Sequence, residues 1–377
     1  MLGAFAGCSG DTGKTEQPPE TPVVTDAAEA EPEEAAKKVS YVADAYDADL
    51  AVVTLNGADV TWSEFFPWVC YAYASHVNSF GDIEDFAAAI GEEDETTYSA
   101  YIAGRAVGML RYYKSIEENC KTLGIELSAE DEALIEDGIV KQREGFDSDE
   151  AFEESVKSQY GSMELFRYLL RMTQLSSRCF EAQYGENGDK LSEEDILEYT
   201  ADDGYLMAKH ILVLTQDEEG NALSEEEKTE KYAAAEALLA EIDACKAQEE
   251  KIAKFDELVS EKSDDPGSQS FPKGYLFQPG EMVPEFESAV KELENYEYSG
   301  IVESSYGYHI IMRLPIDVDS TPMAYSMYAA YGMSYPLRKI CAENMFSEVM
   351  TGWSLNTPVE AAAGYDTLDL ASVFVSE

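Results

Sequence analysis

Histidine is scarce in this chain, which has three against 24 tyrosines and 15 phenylalanines. His210 and His309 lie in apolar runs, and no third ligand stands at a recognisable spacing, so a metal centre is not expected. Basic residues are also few: 26 Lys and Arg face 76 Asp and Glu, a formal charge of −50. A surface this acidic repels phosphate backbones and anionic headgroups, which excludes nucleic acid as a partner. It suits a protein that stays soluble outside the membrane or meets basic or unfolded chains. No run of about 20 apolar residues occurs, so no segment is expected to span a bilayer. The six cysteines show neither C-x-x-C nor zinc spacing. Apart from Cys8 they form an odd set (Cys70, Cys120, Cys179, Cys245 and Cys341) that reads as small core residues rather than a disulfide framework.

What is present divides into zones. The opening "MLGAFAGCSG" puts small residues before Cys8 and resembles the lipobox of bacterial lipoproteins, in which that cysteine is lipidated. Residues 1–8 then read as the remnant of a lipoprotein signal peptide, and a lipid on Cys8 would be the membrane attachment. Residues 9–40, rich in Pro, Glu, Thr and Ala, cannot bury enough surface to offset chain entropy and read as a disordered acidic tether.

Residues 41–200 read as a mainly helical domain. "AVVTLNGADVTWSEF" predicts a strand, an Asn-Gly turn and a helix capped by Thr61. Apolar residues at helical spacing from Tyr98 to Ile116 run up to Gly124, a C-terminal stop. Ser128, Ser148 and Ser162 read as caps of later helices, and Ser192-x-x-Asp195 as a capping box.

From 201 to 316 the pattern becomes strand, three helices and two strands, a compact α+β domain with both histidines on predicted strands. Residues 317–377 turn helical again, apart from Pro336, with a Met and Tyr face expected to be core against the N-terminal helices. The fold class expected is α+β: a helical module built from N- and C-terminal segments, with an inserted domain of antiparallel sheet surrounded by helices. His76, on a predicted helix, reads as structural.

The blocks "AKHILV", "FDELVSEKSDDPGS", "PGEMVPEFESAV" and "SGIVESSYGYHIIMRL" resemble, in order and spacing, the parvulin (rotamase) family of peptidyl-prolyl cis/trans isomerases. The wider layout resembles the PrsA/SurA type of extracytoplasmic foldase. The resemblance implies that His210 and His309 are the family's paired histidines and that Asp265 shares their hydrogen-bond network. It puts Met282 and Phe286 in the apolar wall that receives the proline ring. The family's Gly-x-Leu-Gly-x-Phe run is altered in "KGYLFQPGEM", so either Leu276 or Phe277 could line the pocket. Tyr306 stands where the family often carries Ser or Thr.

The resemblance implies isomerisation of X-Pro bonds in unfolded or partly folded exported polypeptides, without cofactor or metal, by a protein lipid-anchored on the outer face of the cell membrane. The acidic loop "TQDEEGNALSEEEK" argues against a preference for phosphorylated substrates. A holdase with an inactive parvulin domain is the alternative, and a solute-binding lipoprotein would need a two-lobed α/β fold that the helical pattern does not offer. Oligomeric state is left open, with a homodimer as one outcome.

Overall fold

The computed structural model describes residues 39–91, 95–217, 219–331 and 333–376. Cys8, the lipobox residues and nearly all of the expected tether lie outside them. The chain divides into two compact units, one holding residues up to Ala182 and from Met345 onward, the other Gln183–Asn344.

The first unit begins with β1 (Val39–Tyr41), β2 (Ala51–Leu55) and β3 (Ala58–Thr61). Asn56 and Gly57 join β2 to β3 with positive φ at both, 50° and 78°, the geometry that an Asn-Gly hairpin turn requires. Then come α1 (Trp62–Phe80), α2 (Tyr98–Thr122), α3 (Ala129–Arg143), α4 (Asp149–Tyr160) and α5 (Met163–Tyr184). Thr97, Ser128 and Ser148 each accept a hydrogen bond from a backbone N–H in the first turn, and Ser162 Oγ accepts from Leu165 N. These bonds satisfy donors that a helix start leaves open. The core gathers Trp62, Phe65, Ile102, Phe152, Phe166 and Leu169. Asp131 is buried and takes Gln174 and Arg178, a structural tie from α3 to α5. His76 is buried on α1 among Phe80, Tyr98 and Tyr101, and burial lowers its pKa and keeps it neutral.

The second unit opens with α6 (Glu193–Tyr199), where Ser192 and Asp195 form their reciprocal cap. It continues through β4 (Leu206–Leu214), α7 (Glu225–Asp243), α8 (Gln248–Lys262), β5 (Tyr275–Phe277), α9 (Pro284–Glu292), β6 (Tyr298–Glu303) and β7 (Gly307–Leu314). The four strands make an antiparallel sheet in the order β5-β4-β7-β6. Its pleat separates two clusters, as a period-two chain must. Met207, Ile211, Leu276, Ile310 and Met312 face one way, into a core with Ile242, Phe255 and Leu258 of α7 and α8. Leu206, Ala208, Tyr275, Phe277 and Ile311 face the other way, against Phe286 and Val290 of α9.

After β7 the chain forms a 3-10 helix (Met323–Tyr331), then α10 (Leu337–Asn356), β8 (Val359–Ala361) and β9 (Phe374–Ser376). β8 pairs with β2 and β9 with β1, which knits the C-terminus into the first unit.

Three expectations change. Val39 and Ser40, given to the tether, lie in β1. The segment 317–344, given to the helical module, belongs to the second unit, because Val318, Leu337 and Cys341 pack into the core with Ile211 and Phe255. The Met and Tyr face expected to be core is partly outside it: Met327, Tyr328, Tyr331 and Met333 are exposed. The 3-10 helix turns every three residues, which sets the Tyr325 and Tyr328 rings 6.3 Å apart instead of spreading the segment's apolar side chains along an α-helical stripe.

Candidate functional site

The two histidines meet because of register. His210 pairs opposite Ile311 and His309 opposite Leu212, which sets the two rings diagonally on the same face of the β4–β7 pair. Both are buried, 9% and 3% exposed, and their Nδ1 atoms lie 2.9 Å apart. Beyond β5, which covers β4 only from Leu206 to Ala208, the outer edge of β4 is taken by the segment after α8. Leu212 N donates to Ser263 Oγ, Asp264 N to Leu212 O, and Leu214 N to Asp264 Oδ2. Asp265 follows, caps the short 3-10 helix Pro266–Gln269 by accepting from Gly267 N, and so comes beside His210.

His210 Nε2 is 3.0 Å from Asp265 Oδ2, and the Tyr275 hydroxyl donates to the same oxygen at 2.6 Å. At the far end Ser304 Oγ is 2.7 Å from His309 Nε2 and accepts from Tyr306 N at 3.1 Å. The distances form one unbroken chain. A carboxylate only accepts, so His210 Nε2–H donates to Asp265, one proton lies between the two Nδ1 atoms, and the Ser304 hydroxyl pairs with His309 Nε2. Every ring nitrogen is satisfied, which removes the cost of burying two imidazoles.

Burial pushes the Asp265 carboxyl up, but hydrogen bonds from His210 and Tyr275 outweigh it and hold the group down at about 2. Burial, reinforced by His210 and partly opposed by Asp265, lowers His309 from its ordinary 6.5 to about 4. Tyr275 is raised, first by burial and then by the bond to Asp265. At neutral pH the site is therefore a fixed anion at one end and a neutral imidazole at the other.

An apolar wall stands beside this chain. The Phe286 ring meets His210 edge-on at 5.2 Å between centroids and His309 at 5.8 Å, and Phe277 lies 6.0 Å from Phe286. Met282, half-buried, packs on the same cluster. A cavity of about 720 Å³ opens on the Asp265 side, lined by His210, Tyr275, Lys209, Ser263 and Lys273 among others, and does not include Met282 or Phe286.

Of the residues named from sequence, His210, Asp265, His309, Met282, Phe286 and Phe277 come together. Two do not. Leu276 is buried in the opposite cluster, because Tyr275 and Phe277 take the site face of β5 and the pleat turns Leu276 away. Tyr306 is 51% exposed in the β6–β7 turn and reaches the site only through its backbone N–H. Two side chains that end the hydrogen-bond chain were not foreseen, Ser304 and Tyr275. Ser304 stands five residues before His309, a spacing that becomes a contact once Gly307 closes the turn. Gly307 has φ +153°, and a Cβ there would meet Val213 O at 2.2 Å. Among the described residues no group of three His, Cys, Asp or Glu could hold a metal ion.

Residues 210–314 match the family model of the PPIC-type PPIASE rotamase domain, so this part of the chain is a parvulin-type rotamase domain. The foldase protein PrsA of Oceanobacillus iheyensis is 30% identical over 180 residues, covering 47% of this chain and 50% of that protein. The foldase protein PrsA of Geobacillus kaustophilus is 38% identical over 127 residues, 32% of this chain and 36% of that one. The chain thus spans half or less of the length of these relatives. The crystal structure of PrsA from Bacillus cereus is 18% identical, covers 72% of this chain and 90% of that one, and gives a TM-score of 0.28.

Proposed function

We propose that this chain is a peptidyl-prolyl cis/trans isomerase that acts as a foldase on exported polypeptides. The observation that carries the reading is the run Ser304–His309–His210–Asp265–Tyr275, set one ring away from Phe286 on the open face of the sheet. An X-Pro bond resists rotation by about 18–20 kcal/mol because the amide is conjugated. At the half-turn the nitrogen is pyramidal and the carbonyl has lost much of its dipole, so an apolar surface favours the twisted amide over the flat, solvated one. This is differential binding of the transition state and needs no covalent step.

In this reading Met282 and Phe286 hold the proline ring, with Phe277 packed behind Phe286. His210 and His309, locked by Asp265 at one end and Ser304 at the other, form a polar floor of fixed shape and field. Neither histidine acts as a nucleophile. The loop after β4 is acidic, with Asp217 and Glu219, and such charge would repel a phosphate, which supports a preference for unphosphorylated substrates. Clients are unfolded or partly folded chains with X-Pro bonds. The protein works outside the cytoplasm, held at the membrane by a lipid on Cys8. Slow proline steps limit folding by tens of seconds, which gives the activity its purpose.

A coupled assay on an X-Pro tetrapeptide tests the proposal. Acceleration by the wild type, lost in the His210→Ala/His309→Ala double variant, is expected; no acceleration, or none lost, refutes catalysis. If the protein suppresses client aggregation yet leaves a proline-limited refolding rate unchanged, the domain is a peptide-binding holdase instead.

A further inference from the structure

In a chain with 102 charged residues, 26 basic and 76 acidic, residues 320–336 carry none. The same segment exposes large apolar side chains: Met327 is 66% and Tyr331 76% accessible, with Tyr328 and Met333 also open. It is not a loose flap. Tyr325, Tyr328 and Tyr335 brace one another at ring distances of 5.2 to 6.3 Å, and Lys339 Nζ caps the Tyr335 ring at 4.8 Å. Met323, the first residue of the 3-10 helix, packs on the cluster that contains Phe277, Phe286 and Met282, and the helix abuts β5. The uncharged segment therefore adjoins, at Met323, the wall proposed to hold proline.

Such a surface has defined chemistry. Methionine side chains are flexible and polarizable and repack against differently shaped partners. Tyrosine offers broad apolar area at little entropic cost. A single prolyl ring fills only the wall at Phe286. Nine residues of 3-10 helix rise ~18 Å, the reach of about five residues of extended peptide. We infer that the Met323–Met333 surface is an extended subsite that binds aromatic or large aliphatic residues flanking the X-Pro bond of a client, and that it discriminates against acidic flanks. This inference rests on the isomerase reading of the neighbouring site and names the substrate class that site takes.

The test uses three fluorescein-labelled peptides sharing one X-Pro bond, with six-residue flanks rich in Phe and Leu, in Gly and Ser, or in Glu. Binding is read by anisotropy and turnover by the coupled assay; the bare tetrapeptide, which lacks the six-residue flanks, is the control. The wild type is expected to bind the Phe/Leu peptide at least tenfold more tightly than the Gly/Ser one, and the Glu peptide most weakly. In Met327→Ser/Tyr331→Ser, whose side chains are exposed and whose melting temperature reports the fold, the preference should fall to within twofold while tetrapeptide turnover is kept. Equal binding of the three peptides by the wild type, or a preference that survives the double variant, overturns the inference. A wild-type dimer in sedimentation equilibrium that the double variant dissociates also overturns it, because a second copy then covers the surface. A tetrapeptide that is not turned over refutes the isomerase reading alone, and the anisotropy series still decides the subsite.

Discussion

The two faces of the four-stranded sheet are built from the same strands and do different work. One face is closed by α7 and α8 over Met207, Ile211, Ile310 and Met312, an apolar interior. The other is closed by α9 over only part of its area and carries, between apolar residues, His210 and His309 with their partners. Alternate residues of β4 and β7 thus face the closed core and the proposed site in turn. A substitution's face should decide whether it costs folding or turnover.

The largest effect expected on the closed face is Phe255→Ala. The ring is fully buried, and the cavity should cost about 3–5 kcal/mol in urea unfolding, with turnover per folded molecule unchanged. Phe286→Ala on the other face should cost stability too, yet lower kcat/KM by about a hundredfold or more; equal effects on the two faces would erase the contrast.

Acid should act on the open face next. His309 is depressed from 6.5 to about 4, so below pH 6.5 the unfolded chain takes up its proton first. That stability is whole above about 6.5, falls as pH drops, and is spent near 4, about 3 kcal/mol in all. Asp265, depressed from 3.8 to about 2, loses its contribution over the window below that. Unfolding free energy measured from pH 7 to 4 should decline, and His309→Phe should flatten the slope; an unchanged slope would mean that the imidazole does not sense the fold.

A smaller effect is expected of Tyr275→Phe, which removes one hydrogen bond to a carboxylate, about 1.5–3 kcal/mol of stability, and should raise the pH at which activity fails on the acid side. Smallest is Ser192→Ala, a cap of α6, whose Ile196 packs on the closed face, at about 1 kcal/mol by thermal melt with turnover untouched.

Much of this arrangement was legible beforehand. The β-branched runs around His210 and His309 mark β4 and β7, and Ser128, Ser148 and Ser192 mark helix starts, because strand alternation and capping are local rules. Less local features were not. β5 has three residues, too few to show a period, so the choice between Leu276 and Phe277 and the role of Tyr275 had no sequence signal. Tyr306 looked like a hydroxyl donor by position, but the turn closed by Gly307 presents Ser304 instead. The Met and Tyr segment read as core on composition alone, since hydrophobicity does not state whether a face will be covered.

The sequence by itself determined the kinds of element, their order, and the presence of two imidazoles and a carboxylate in the segments that carry them, since propensity, capping and periodicity act over a few residues. Only the tertiary structure decided which side chains share a face, which hydroxyls close the hydrogen-bond chain, and which apolar surface stays open. Those outcomes depend on register and on contacts between residues some 50 to 100 positions apart, such as His210 with Asp265 and His309, which no local pattern encodes.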